Sequence, residues 1–108
     1  MQLIVAIIQD RDADAVIGAL TGGGQRVTRI GTTGGLLQQG LSTLLIGIAD
    51  EAVPGVIASI QARSRRRTMF MPLGVGTGDP TYALNEQVEV EIGGSTIFVF
   101  DVERFEQI

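Results

Sequence analysis

The sequence predicts a single α+β domain with the order β-α-β-β-α-β, a ferredoxin-like sheet with both helices on one face, and a terminal β-hairpin. The chain has 108 residues, of which 44% are hydrophobic, and this suits one domain with one core. Near-continuous apolar runs at residues 3–8 and 44–48 are typical of central strands. Two segments with apolar residues at helical spacing alternate with the predicted strands.

The first strand and the first helix are predicted within residues 1–24. The strand ends at Gln9-Asp10, and Asp12 is the predicted N-cap of the helix. Apolar residues then recur at helical spacing, namely Ala15, Val16, Ala19 and Leu20. A run of glycines at residues 22–24 ends the helix.

The second and third strands are predicted on either side of a glycine-rich loop. Residues 25–32 favour a strand, although Val27 and Ile30 would face opposite sides of it. Residues 41–49 predict the next strand, after a loop at residues 34–40.

The second helix begins near Pro54, because carboxylates and a first-turn proline favour a helix start. It is predicted to end around Arg65. Residues 68–87 lack a sustained period and predict one long loop. Two alternating segments at residues 88–92 and 95–102 then predict a hairpin around Gly-Gly, whose residues adopt positive φ at little cost.

The second face of the predicted sheet needs a cover. Its strands offer few polar positions, as shown by Val5, Ile7, Leu45, Ile46 and Ile48. The same face of another copy is the simplest cover, so we expect a homo-oligomer.

Composition excludes several classes of function. The formal net charge is −4, so the chain is a poor partner for nucleic acids. The chain contains no His and no Cys, and we therefore expect no metal centre, no cofactor and no enzymatic nucleophile with its base. The apolar runs are shorter than a membrane span, and no basic region precedes the first of them. We expect a cytoplasmic protein without a membrane partner.

A glycine-rich loop, TTGGLLQQG at residues 32–40, follows Arg26 and Thr28. Such a loop can offer unhindered backbone N–H groups and hydroxyls to an anion, while a guanidinium binds phosphate oxygens. This pattern is consistent with half of a nucleotide site, and a plain tight turn stays open as the alternative because glycine-rich connections are common.

Arginines also cluster at residues 63 and 65–67. They could form a phosphate-binding patch. The stronger interpretation is a solvated helix end, because cations complement the C-terminal end of the helix dipole.

The chain closely resembles the PII-like cyclic di-AMP receptor family, the PstA type, in the segment RVTRIGTTGGLL at residues 26–37. The resemblance extends to IVAIIQD at 4–10 and VEVEIGGSTIFV at 88–99, with Phe105 and Gln107 in the tail. It implies a homotrimer that binds cyclic di-AMP, a bacterial second messenger, in clefts between subunits. It also implies a signal-transduction receptor, in which a long flexible loop at about residues 66–87 relays binding to an unknown downstream protein.

The resemblance implies a set of ligand-binding residues, namely Arg26, Thr28, Gly35, Leu36, Leu37, Leu41, Gly47, Phe98 and Gln107. Arg26 and Thr28 would hold a phosphate. Leu37 and Phe98 would line an adenine pocket. Gly35 and Gly47 would allow close backbone approach, and Gln107 would close the site from the tail.

The chain departs from the family pattern at Gly24, Leu36 and Leu41, where the family commonly has Asn, Phe and Asn. Loss of a stacking aromatic typically costs about 1–3 kcal/mol of binding free energy. Two alternatives therefore stay open. One is a PII-like trimer that binds another adenine nucleotide, and the other is a trimeric interaction module without a small-molecule ligand, which acts through residues 69–71.

Overall fold

Four strands and two helices form the body of the protein, and two further strands form a separate ribbon. The computed structural model describes residues 1–33, 40–72 and 87–108. In chain order the elements are β1 (Gln2–Gln9), α1 (Asp10–Gly22), β2 (Thr28–Thr33), β3 (Leu41–Ile48), α2 (Val53–Ser64), β4 (Arg67–Pro72), β5 (Gln87–Ile92) and β6 (Ser95–Asp101). A single 3-10 turn, Asp50–Ala52, precedes α2.

The main sheet has the strand order β2-β3-β1-β6, and every neighbouring pair is antiparallel. β4 and β5 pair only with each other among the described strands. Without this ribbon, the chain follows the predicted order β-α-β-β-α-β. The α+β class is therefore confirmed, and the sheet is compatible with a ferredoxin-like fold.

The core lies between one face of the main sheet and the two helices. Alternate residues of the two central strands point into it because side chains alternate along a strand. The sheet contributes Ile4, Ala6, Ile8, Leu44, Ile46 and Ile48, and the helices contribute Ala13, Val16, Leu20, Val56 and Ile60. Neither described helix has the length and hydropathy needed to cross a bilayer.

The remaining residues of the same strands form what we call the open face, which points away from the helices. It carries apolar side chains on every strand, namely Ile30, Val5, Ile7, Leu45, Phe98 and Phe100. Phe98 and Phe100 are 48% and 53% exposed, and their rings stack with centroids 6.4 Å apart. An exposed aromatic pair on an apolar sheet face is the pattern of a surface that another molecule covers.

The predicted terminal hairpin is wrong. β5 pairs with β4, and β6 pairs with β1, so Gly93-Gly94 carries the chain from the ribbon into the main sheet. Both glycines have the positive φ that the sequence predicts, at 88° and 97°. A strand in which polar and apolar residues alternate can pair with any suitable antiparallel strand. Here β5 pairs with β4, a strand that the sequence analysis did not predict.

The predicted loop at residues 68–87 is wrong at both ends, because β4 extends to Pro72 and β5 begins at Gln87. Residues 73–86 lie outside the described residues. Phe70 is largely exposed on the ribbon, whereas the sulfur of Met69 accepts a hydrogen bond from Arg11 Nη1 at 3.2 Å. Residues 67–72 form a strand because β5 pairs with them, not because of their own periodicity.

Asp12 does not cap α1. The helix begins at Asp10, its N-cap is Gln9, and no side chain caps it. Asp12 is only 4% exposed and accepts two hydrogen bonds from Arg67, at 2.7 Å to Oδ1 and 3.3 Å to Oδ2. The hydrogen bond from Arg67 to Asp12 raises the pKa of this guanidinium above its ordinary value. The pair attaches the ribbon to α1.

We expect Arg67→Ala to destabilise the protein more than Asp12→Ala. The first variant leaves a buried carboxylate without its partner, at a cost of about 3 kcal/mol. The second leaves a guanidinium that is already partly exposed and can turn to water, so the loss is about 1.5 kcal/mol. Urea denaturation of both single variants and the double variant measures these costs. The reverse order of severity would contradict the view that Asp12 is the buried partner.

Candidate ligand-binding site

A pocket of about 310 Å³ lies on the open face, at the end of the sheet where β1 begins and β3 ends. We call it the Arg26 pocket. It brings together three residues of the predicted site, Arg26, Thr28 and Gly47. Its apolar wall is formed by Met1, Leu3, Leu45, Val102 and Phe105. The volume lies at the lower end of the range for small-molecule sites, which combine an apolar lining with a few polar groups.

Strand pairing assembles this pocket. Thr28 lies opposite Leu45, and Leu3 lies opposite Gly47, so all four occupy the open face. A Cβ on Gly47 would meet only the terminal methyl of Met1, at 3.5 Å, which is an ordinary contact. Packing within the chain therefore does not demand a glycine here. Its missing side chain leaves room for a ligand to approach the backbone.

The chemistry of the Arg26 pocket suits an anion that also carries a flat apolar group. Among the described lining residues Arg26 has the cationic side chain, and Thr28 adds a hydroxyl. A guanidinium presents a planar set of donors that matches phosphate oxygens. Phe105 is 62% exposed and offers an aromatic face on which a base could stack.

The structure does not bring the other predicted residues into this pocket. Leu41 is at the opposite end of β3 from Gly47, and the strand rise of about 3.3 Å per residue puts them about 20 Å apart. Phe98 lies on β6, opposite Val5, and Gln107 is in the exposed tail. Gly35, Leu36 and Leu37 lie outside the described residues.

The residues predicted for the site do not include Phe105, Leu3 or Leu45, although Phe105 belongs to the tail that resembles the family. Leu3 and Leu45 could have been found, since alternation along β1 and β3 puts them on the face of Gly47. Nothing in the local sequence around Phe105 indicates a pocket, because its position depends on the path of the tail after β6.

Arg29, which we did not assign to the site, points to the opposite side of the sheet. Its Nη2 donates to Ser42 Oγ at 2.9 Å, and its Nη1 donates to Asp14 Oδ1 at 3.3 Å. Ser42 is fully buried and also donates to Asp10. These contacts join β2, β3 and α1.

A second pocket, of about 190 Å³, lies at the other end of the open face. We call it the Arg66 pocket. Its lining includes Leu41, Arg66 and residues 93–96. The two pockets therefore occupy opposite ends of β3. Over the described part of the chain, no group of three or more acidic side chains is placed to hold a metal ion.

The fold is that of a small α+β protein, and its apolar sheet face carries a pocket whose described lining has one cationic side chain, Arg26. A solved structure of a functionally unknown protein from Pediococcus pentosaceus ATCC 25745 is similar to it, with a TM-score of 0.77 and 34% identity over 99% of this chain and 96% of that chain. A family model described as cyclic-di-AMP receptor matches residues 1–108. The chain belongs to the cyclic-di-AMP receptor family, in agreement with the resemblance found in the sequence.

Proposed function

We propose that this protein is a signal-transduction receptor that binds cyclic di-AMP in the clefts between the copies of a homotrimer. Binding is relayed to a downstream protein through the long segment between β4 and β5. The observation that carries the proposal is the Arg26 pocket, which unites Arg26, Thr28 and Gly47 with an apolar wall.

The chemistry of the ligand matches this pocket. Cyclic di-AMP joins two adenosines through two phosphodiesters, so it presents anionic oxygens next to flat aromatic bases. Arg26 and Thr28 suit one phosphodiester. Phe105 and the neighbouring apolar side chains suit one adenine.

The separation along β3 supports a site between copies. Leu41 and Gly47 belong to one predicted site, yet they lie about 20 Å apart along the same strand. A compact cyclic dinucleotide that contacts both residues must therefore contact Gly47 of one copy and Leu41 of another.

The open face supports assembly. Phe98, Phe100 and Ile30 are exposed there in the single chain, and burial of apolar area gains about 25 cal/mol per Å². A closed ring of identical copies covers the same face on each of them. The number three comes from the family resemblance.

Another adenine nucleotide is the second candidate, because Leu41 stands where the family commonly has a polar Asn. The departure at Gly24 has a different explanation. Gly24 has φ +90°, and Asn is among the non-glycine residues that best tolerate positive φ. The exchange of Asn for Gly at this position therefore keeps the backbone turn before β2.

We expect Arg26→Ala to weaken cyclic di-AMP binding about 10- to 100-fold. The variant removes a hydrogen-bonded charge pair with a phosphate, worth about 1.5–3 kcal/mol. Isothermal titration of the wild type and the variant measures the change, with ATP, ADP, AMP and cyclic di-GMP titrated in parallel.

Arg63→Ala is the matched control, because Arg63 is an exposed arginine in the last turn of α2 that lines neither pocket. It should bind like the wild type. A wild type that prefers a mononucleotide would support the second candidate instead. If no nucleotide binds, the interaction module without a small-molecule ligand is favoured.

A further inference from the structure

The Arg66 pocket contains a cation that the predicted site does not use. Arg66 lies in the short link between α2 and β4, and its side chain is 79% exposed. Among the described residues its charged contact is Glu91 Oε1, at 4.0 Å from Nη1, which is the outer limit of an ion pair. Exposed pairs of this kind contribute little free energy. The guanidinium is therefore available to an incoming anion at little cost.

The backbone beneath Arg66 keeps this cation beside the pocket. Cγ and Nε of Arg66 lie 3.4 Å from the position that a Cβ on Gly94 would occupy. The Arg66 side chain thus packs over Gly94, which has no side chain to displace it. Ser95 and Thr96 follow directly and add hydroxyl groups to the pocket lining, and Ile7 and Leu41 supply its apolar part. A cation, hydroxyls and an apolar patch are also the groups found in the Arg26 pocket.

The charge of the ligand calls for a second cation. Each phosphodiester of cyclic di-AMP carries one negative charge, and the described lining of the Arg26 pocket supplies one cationic side chain. The terminal ammonium of Met1, which also belongs to the lining, is paired with Asp50 Oδ1 at 3.0 Å. The protein as a whole has a net charge of −4, which opposes the approach of a dianion. A second phosphodiester without a partner would lose its hydration with no compensating interaction.

We propose that Arg66 of one copy binds the second phosphodiester of the cyclic dinucleotide whose first phosphodiester is held by Arg26 of the neighbouring copy. This inference rests on the proposed function. It adds a ligand-binding residue outside the predicted set, and it assigns the two pockets at the ends of β3 to the two halves of one ligand. Binding of a ligand with two phosphodiesters then requires the assembled protein, because Arg26 and Arg66 of a single copy lie in pockets at opposite ends of β3.

The test is titration of cyclic di-AMP into Arg66→Ala, Arg66→Lys and the matched control Arg65→Ala. Arg65 is the neighbouring exposed arginine and lines neither pocket. Arg66→Ala should weaken binding at least about tenfold, Arg66→Lys should recover part of the loss, and Arg65→Ala should match the wild type. Binding by Arg66→Ala should also depend less steeply on salt concentration, because one ionic contact is missing.

Mixing two variants with weakened binding tests the arrangement between copies. When Arg26→Ala and Arg66→Ala chains are unfolded together and refolded as a mixture, some clefts should combine an intact Arg26 with an intact Arg66. The mixture should then regain a fraction of tight sites that neither variant shows alone.

Two results would overturn the inference while leaving the proposed function in place. The first is wild-type affinity of Arg66→Ala for cyclic di-AMP, and the second is a mixture without any tight sites. A wild type that does not bind cyclic di-AMP would contradict the proposed function itself, and the inference with it.

Discussion

Phe100→Glu is expected to convert the proposed homotrimer into monomers that do not bind cyclic di-AMP. Phe100 lies on the open face of β6, beside Phe98. In a symmetric assembly covered by this face, the variant would place one carboxylate per copy in an apolar interface, and each buried charge costs several kcal/mol. The monomer should stay folded, because Phe100 is not part of the core between the sheet and the helices.

Sedimentation velocity measures the effect as a fall from three times the chain mass of 11.4 kDa to once that mass. Titration with cyclic di-AMP should show the loss of binding in the same samples, because each proposed cleft needs two copies.

Val99→Glu is the matched control. Val99 is adjacent on the same strand and is 40% exposed, but it pairs with Ile4 on the helix side of the sheet. This variant should sediment like the wild type. If Phe100→Glu also keeps the wild-type mass, the open face is not the interface between copies.

Gly93→Ala is expected to destabilise the protein by about 2–5 kcal/mol. Gly93 has φ +88°, and an L-residue in a left-handed conformation costs about 1–2 kcal/mol. A Cβ there would also lie 2.2 Å from the carbonyl oxygen of Arg65 and 2.8 Å from Arg67 Nη1. Relief of this overlap requires the ribbon to move away from α2, at a further cost of about 1–3 kcal/mol.

The contacts at this junction explain why movement is costly. The N–H of Gly93 donates to Gln9 Oε1 at 2.9 Å, and the N–H of Gly94 donates to the carbonyl oxygen of Ser64. Arg67 is held by Asp12 on α1. A displaced Gly93 would weaken these contacts together, so the loss should appear in one cooperative unfolding transition.

Gly94→Ala separates backbone strain from close contact. Gly94 has φ +97°, so the strain is similar, but its Cβ would meet only the flexible side chain of Arg66 at 3.4 Å. We expect a loss of about 1–2 kcal/mol. Urea denaturation at one fixed protein concentration compares the variants, since assembly makes stability concentration-dependent. Equal losses at the two positions would show that the Arg65 contact is not tight.

The elements with a strong local signal were predicted well. The apolar runs of β1 and β3 and the helical spacing in α1 and α2 appear at nearly the predicted positions, and the positive φ of both glycines at 93 and 94 is confirmed. Val27 packs against the core while Ile30 is exposed, as their opposite positions predict. These features depend on neighbours in the sequence, which is the information that periodicity and turn chemistry contain.

The errors all depend on distant partners. Asp12 follows a helix-capping pattern, but its partner Arg67 lies 55 residues away. A Gly-Gly turn between alternating strands has the same local pattern whether it closes a hairpin or links two sheets, and the pairing of β5 with β4 decides which.

For the site, the family and the residues Arg26, Thr28 and Gly47 came from the sequence, while their meeting in one pocket is a result of the structure. By itself the sequence determined the α+β class, the order of the main elements and the family, because local patterns and a matching motif are enough for these. The tertiary structure alone decided the partner of each strand, the place of Phe105 and the separation of the two pockets. Those depend on contacts between residues far apart in the chain, which no local pattern encodes.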